Sequence, residues 1–171
     1  MFTHFLGMKN ILFVLMLSLF LGANLWSAEL DITKAGDSNS EATKQLFRLA
    51  EDIGCSVEKL GDDSFKLNQG GLILAVSVMA MESSVDRIDV HIVFRANKLN
   101  IKSEKFAFLV NRINSQYSAC TVYYDETGGS LTMRWSMPFD NKLSAKVFRQ
   151  WIDHVVVGTK YILDKEPELS K

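Results

Sequence analysis

Residues 103–164 decide the fold: SEKFAFLVNRINSQY (103–117), then ACTVYY (119–124) and LTMRWSM (131–137), then a long stretch from about Ser144 to Asp164. In the first piece Phe106, Leu109, Val110, Ile113 and Tyr117 recur at i, i+3, i+4, i+7 and i+11, one apolar helical face, and Ser103 can cap it. The second is rich in β-formers. In the third, Leu131, Met133, Trp135 and Met137 alternate with Thr132, Arg134 and Ser136, so the pair reads as a hairpin joined by Asp125–Ser130. The last piece is a helix with Val147, Trp151, Val155 and Ile162 on one side, widened by Phe148, Ile152 and Val156. Gly158 weakens its interior by about 1 kcal/mol relative to Ala, which predicts a bend or a close contact there.

Working outward, Ser38 with Glu41 fits a capping box, and Ala42, Leu46, Leu49, Ala50 and Ile53 form an apolar stripe that Gly54 ends. Strand signals follow at Cys55–Leu60 and Phe65–Leu67, then Leu72–Met81 after Asn68-Gln69-Gly70-Gly71. Leu72–Met81 is apolar on both parities and is expected to be central, either covered on both sides or placed mid-sheet, with a buried helix as the alternative that periodicity leaves open. In Val85–Phe94, Ile88, Val90, Ile92 and Phe94 share one parity; Arg87, Asp89, His91 and Arg95 share a register that faces away from the core. The order is α-β-β-β-α-β-β-α. It predicts an α+β domain over 40–165, a five-stranded antiparallel sheet with the short Phe65–Leu67 left uncounted, and helices packed on one face.

The flanks read differently. Ile11–Ala23 is an unbroken apolar run after Lys9, with Ser27 and Ala28 behind it, the order of a secretory signal over 1–28. Cleavage near Ser27 or Ala28 is the expectation, giving a periplasmic or secreted bacterial protein; retention of 11–28 as an inner-membrane anchor is the alternative. Met8 is an alternative start to Met1. Residues 29–39 read as a linker and 166–171 as a frayed tail.

The chain has 171 residues, 47% hydrophobic and 23% charged, as one globular domain would. Nineteen Lys and Arg against 20 Asp and Glu, with no basic block, argue against nucleic acid as a partner. Cys55 and Cys120 permit one disulfide in an oxidising compartment; the alternative is two separate buried thiols. Such a bridge would close a loop of about 65 residues and contribute roughly 4 kcal/mol in the chain-entropy picture.

Chemistry is harder to find. His91 and His154 are the histidines of the expected mature chain, and neither accompanies a nucleophile turn. Asp153 and His154 are neighbours on a helix and point about 100° apart. Asp89 and His91 share a face, but two ligands are too few for a metal site. Gly-rich phosphate loops, Cys-x-x-Cys and His-Glu-x-x-His are missing, and Asp62-Asp63 and Asp125-Glu126 lie in turns. No enzyme, cofactor or metal reading has positive support.

Across Glu41–Leu163 the element order, Leu109-Val110-Asn111-Arg112-Ile113-Asn114, Tyr123-Tyr124-Asp125-Glu126 and the 131–137 strand resemble the YbjN family. That family is labelled as bacterial sensory transduction regulators, and its domains resemble the type III secretion chaperone fold. Ile113 stands where the family usually has an aromatic between the two Asn, and this chain adds an export signal and a near-neutral charge to a family usually cytoplasmic and acidic. The resemblance implies no catalytic residues. The expectation is therefore a non-enzymatic exported module that binds another protein through the open sheet face, at Arg87, His91, Arg95 and Arg134, or through a groove beside the helices. The alternative is a small-ligand or lipid carrier with a pocket between sheet and helices, pointed to by Met79, Met81, Trp135 and Trp151.

Overall fold

The computed structural model describes residues 29–31, 39–79, 86–95, 104–125, 130–139 and 142–169. The proposed signal and the caps at Ser38 and Ser103 lie outside them. Helix α1, Asn39–Asp52, buries Ala42, Leu46, Leu49 and Ala50. It ends as the sequence predicts: the Gly54 N–H donates to Glu51 O and the Cys55 N–H to Ala50 O, the paired bonds of a Schellman cap.

A meander follows, with β2 at Ser56–Lys59, β3 at Phe65–Gln69, β4 at Leu72–Met79 and β5 at Asp86–Arg95. Phe65–Leu67 is thus a full strand, and the sheet has six strands where five were expected. The reason is local. Gly70 and Gly71 both have positive φ, 59° and 82°, so a two-residue turn closes β3 onto β4 with Gln69 opposite Leu72. The buried Phe65 and Leu67 are then held by Val76 and Leu74 across the pair.

Helix α2, Glu104–Gln116, leads to β6 at Cys120–Asp125 and β7 at Ser130–Phe139. The spatial order is β2-β3-β4-β5-β7-β6, all antiparallel. β7 inserts beside β5, so β6 becomes an edge. The Asn114 side chain closes that edge at Val122: its Oδ1 accepts from the Val122 N–H and its Nδ2 donates 2.9 Å to the Val122 carbonyl. The opposite edge, β2, is short and mostly exposed.

Two flanking expectations need correction. Part of the supposed linker, β1 at Glu29–Asp31, pairs antiparallel with β8 at Lys142–Ser144, a strand that three residues of sequence could not announce. Residues 166–169 of the supposed tail are ordered as well. Pro167–Leu169 forms a 3-10 turn, Leu169 is buried, and Arg112 of α2 ion-pairs with Glu166.

Helix α3, Ala145–Lys165, starts at Ser144, whose hydroxyl accepts from the Val147 N–H at 3.2 Å. Its buried face runs through Phe148, Ile152, Val155, Val156, Thr159 and Ile162. The expected stripe was rotated: Val147 is 47% exposed and Trp151 is half-buried. All three helices pack on the sheet face that carries Leu67, Leu74, Val76, Ile88, Val90, Met133 and Trp135.

The proposed Cys55–Cys120 bridge does not form. Both cysteines are free, and they flank opposite edge strands, five inter-strand steps or about 24 Å apart. Burial pushes the Cys120 thiol up to about 12. It also raises Cys55, against the opposing charge and 3.6 Å hydrogen bond of Arg149. Both are the separate thiols of the alternative reading.

Gly158 marks a close approach. A Cβ there would lie 2.5 Å from Trp135 Cη2, so α3 can rest on the indole only because the side chain is missing. Gly158→Ala should therefore destabilise the protein by about 1 kcal/mol or more in urea unfolding, the overpacking cost exceeding the roughly 1 kcal/mol gain in helix propensity. In a Trp135→Phe background the same change should become neutral or stabilising, and an additive double mutant would contradict the contact.

Candidate functional site

The outward face of the sheet is built by the parity that the core leaves over. Register lines up Ala75, His91, Arg134 and Thr121 across β4, β5, β7 and β6, with Lys66 beyond Ala75 on β3. The next row is Ser77, Asp89 and Ser136, and the next Met79, Arg87 and Pro138. On the other side stand Val93, Thr132 and Tyr123. Among the described residues no helix packs on this face, and Ile73, Val93, Tyr123 and Met79 are exposed on it, the first two at 61% and 60%. β4 is therefore apolar on both parities without being covered on both.

Of the predicted face residues, the structure brings Arg87, His91 and Arg134 together. Arg95 pairs with Ser130 in the ladder, and its side chain lies outside the described residues. The organiser is Asp89, which the sequence placed on the face without a role. Its carboxylate is almost fully buried: Oδ2 accepts from Arg134 Nη2 at 2.7 Å, Oδ1 accepts from Ser136 Oγ at 2.6 Å, and Arg87 Nε sits 3.0 Å from Oδ1. The signal available in sequence was an acid two residues from one arginine on a strand, but the second arginine and the serine come from β7, 45 and 47 residues away.

Burial is the largest influence on Asp89 and pushes its carboxyl up. The Ser136 and Arg134 hydrogen bonds and the two arginine charges more than reverse it, leaving the group below the usual carboxylate range. Burial lowers His91, and the Arg134 and Arg87 charges add to that against the pull of Asp89. The His91 Nε2 is buried with no hydrogen-bond partner among the described residues. An Asp89 carboxylate already saturated by two guanidiniums and a hydroxyl is a poor cation ligand.

The other candidates disperse. Asp153 accepts from Gln69 Nε2 at 3.2 Å while His154 turns its ring edge-on to Trp135, 5.8 Å between centroids. Trp135 is buried against Gly158, Trp151 packs at the core margin, Met79 lies on the outer face, and Met81 falls outside the described residues. Met79 and Trp135 therefore stand on opposite faces of the sheet. A groove of about 280 Å³ beside α1 and the β2–β3 turn is lined by charges of both signs, including Lys44, Arg48, Lys59, Glu51 and Asp62.

The two shifted groups give a pH signature. Each has a folded pKa below its ordinary value, so each contributes stability that is complete above that value and is lost as pH falls through the folded one. Urea unfolding of the wild type should show stability declining first below about pH 6.5, from His91, and again below about 3.8, from Asp89. His91→Gln should erase the first step. Asp89→Asn should cost about 2 kcal/mol at pH 7 and erase the second; an unchanged acid limb in both variants would refute the cluster.

No family model and no curated protein matches the chain. Among solved structures, the fold is similar to that of YbjN from E. coli, described as a candidate transcription regulator, with a TM-score of 0.54 at 9% identity over 72% of this chain and 90% of that one. At that identity the likeness is one of architecture: this chain has a YbjN-like α+β fold.

Proposed function

We propose that this chain is an exported, non-enzymatic protein-interaction module that works in regulation by docking a partner protein on its outer sheet face. The observation that carries the reading is that face itself. It presents exposed Ile73, Val93 and Tyr123 beside two arginines held in place by Asp89, the mixture of aliphatic, aromatic and arginine side chains typical of interface centres. The similar solved structure is described as a candidate transcription regulator. A near-neutral chain without a basic block suits regulation through a protein more than direct contact with DNA. Export rests on Lys9 and the Ile11–Ala23 run, and β1 starts immediately after the expected cleavage position, with Glu29 paired to Ser144.

A photo-crosslinking residue at Val93, with one at Val157 on the exposed side of α3 as the control, tests the reading in cells. A discrete adduct from Val93 and none from Val157 is expected, in an envelope or secreted fraction whose chain begins near Ala28 or Glu29. Adducts equal at both positions, or from Val157 alone, would overturn the docking face. Recovery of an uncleaved chain in the cytoplasm would overturn export.

A further inference from the structure

We propose that the partner segment is acidic and aliphatic, placing carboxylates against Arg87 and Arg134 and apolar side chains against the exposed apolar residues beside them. This rests on the reading of the outer face as a docking surface and adds the chemistry of what docks.

Two guanidiniums share one carboxylate. Asp89 has both oxygens engaged and its side chain is 2% exposed, so it has no capacity left for the second positive charge. Arg87 and Arg134 are themselves only 28% and 31% exposed; the buried Nε of Arg134 has no hydrogen-bond partner among the described residues, and the buried Nε of Arg87 has an ion-pair contact, 3.0 Å, to the same Asp89 Oδ1 that accepts from Ser136. A partly dehydrated cation without a full counter-charge is a costly state, and an incoming carboxylate relieves it with charge-assisted hydrogen bonds. Lys66, the other described cation on these rows, is already paired with Glu58 at 3.2 Å. The complementary charge is therefore needed at the β5–β7 rows and not along the whole sheet.

The apolar requirement comes from the flanks. Ile73, Val93 and Tyr123 lie on one side of the arginine rows and Met79 lies within the Arg87 row, directly opposite Arg87, all exposed. A free small anion would satisfy the arginines and leave these uncovered; a protein segment with carboxylates between aliphatic residues covers both. Between them sits His91, opposite Ala75 and Arg134, facing Asp89, Arg87 and Arg134. A carboxylate arriving there adds negative charge next to the imidazole, so occupation of the face should raise the His91 pKa.

The test titrates the purified full chain with two synthetic helical peptides of equal length, one built of Glu, Leu and Ala and one with Lys in place of every Glu. The Glu peptide should bind, lose affinity as salt rises, and move the His91 ring resonances toward a higher pKa; the Lys peptide should not bind. Arg134→Gln should weaken binding about tenfold. Because that change also disturbs Asp89, the exposed Val93 supplies a second pair: Val93→Glu should weaken and Val93→Lys strengthen binding, each by about threefold, with the cluster intact. Equal binding of both peptides, full competition by millimolar acetate, or Val93 variants without effect would overturn the acidic partner. If neither peptide binds while the Val93 crosslink persists, the docking face stands and its partner has other chemistry. If that crosslink is also lost, the docking reading itself has failed.

Discussion

The pairing of β5 with β7 runs from Asp86 opposite Phe139 to Arg95 opposite Ser130 and fixes both faces of the sheet together. Side chains alternate along a strand, so one register that sets Ile88 against Met137, Val90 against Trp135 and Ile92 against Met133 must also set Asp89 against Ser136 and His91 against Arg134. A slip of one residue would expose the core ladder and bury the arginines. The hydrophobic term that favours this register is thus what assembles the polar cluster, and Asp89 in turn ties β5 to β7 on the side without helices.

That arrangement needs both edges of the sheet to be handled. Inserting β7 between β5 and β6 leaves Val122 with backbone groups turned outward, and Asn114 takes both. One side chain acts as the neighbouring strand would, and it also anchors α2, whose Ile113 is fully buried beside it. Next to the far edge strand β2, the β3–β4 turn at Gly70 tucks beneath α3, where an added Cβ would meet Val156 at 2.6 Å. Together with Gly158 on Trp135, two glycines let α3 lie close to the sheet.

The helices and most strands were legible because their apolar periodicities are local. Phe106, Leu109 and Ile113 mark α2, the alternation from Leu131 to Met137 marks β7, and Gly54 ends α1 where a left-handed cap was expected. The errors have local causes too. The α3 stripe was centred about one position away because Val147, Trp151, Phe148 and Ile152 are all apolar and composition cannot say which of them meets the sheet. β1 and β8 are too short for periodicity to register, and exist because they pair with each other.

By itself the sequence determined the alternating parities, the helix faces and the α+β class, since each follows from residues close together in the chain. It also placed Arg87, His91 and Arg134 on the side away from the core. Only the tertiary structure decided that β7 lies beside β5, that Asp89 joins two arginines 47 residues apart, and that Cys55 and Cys120 sit on opposite edges. Those facts depend on which strands become neighbours, and strand order is set by how the helices cover the common core, a sum over contacts distant in sequence that no local pattern contains.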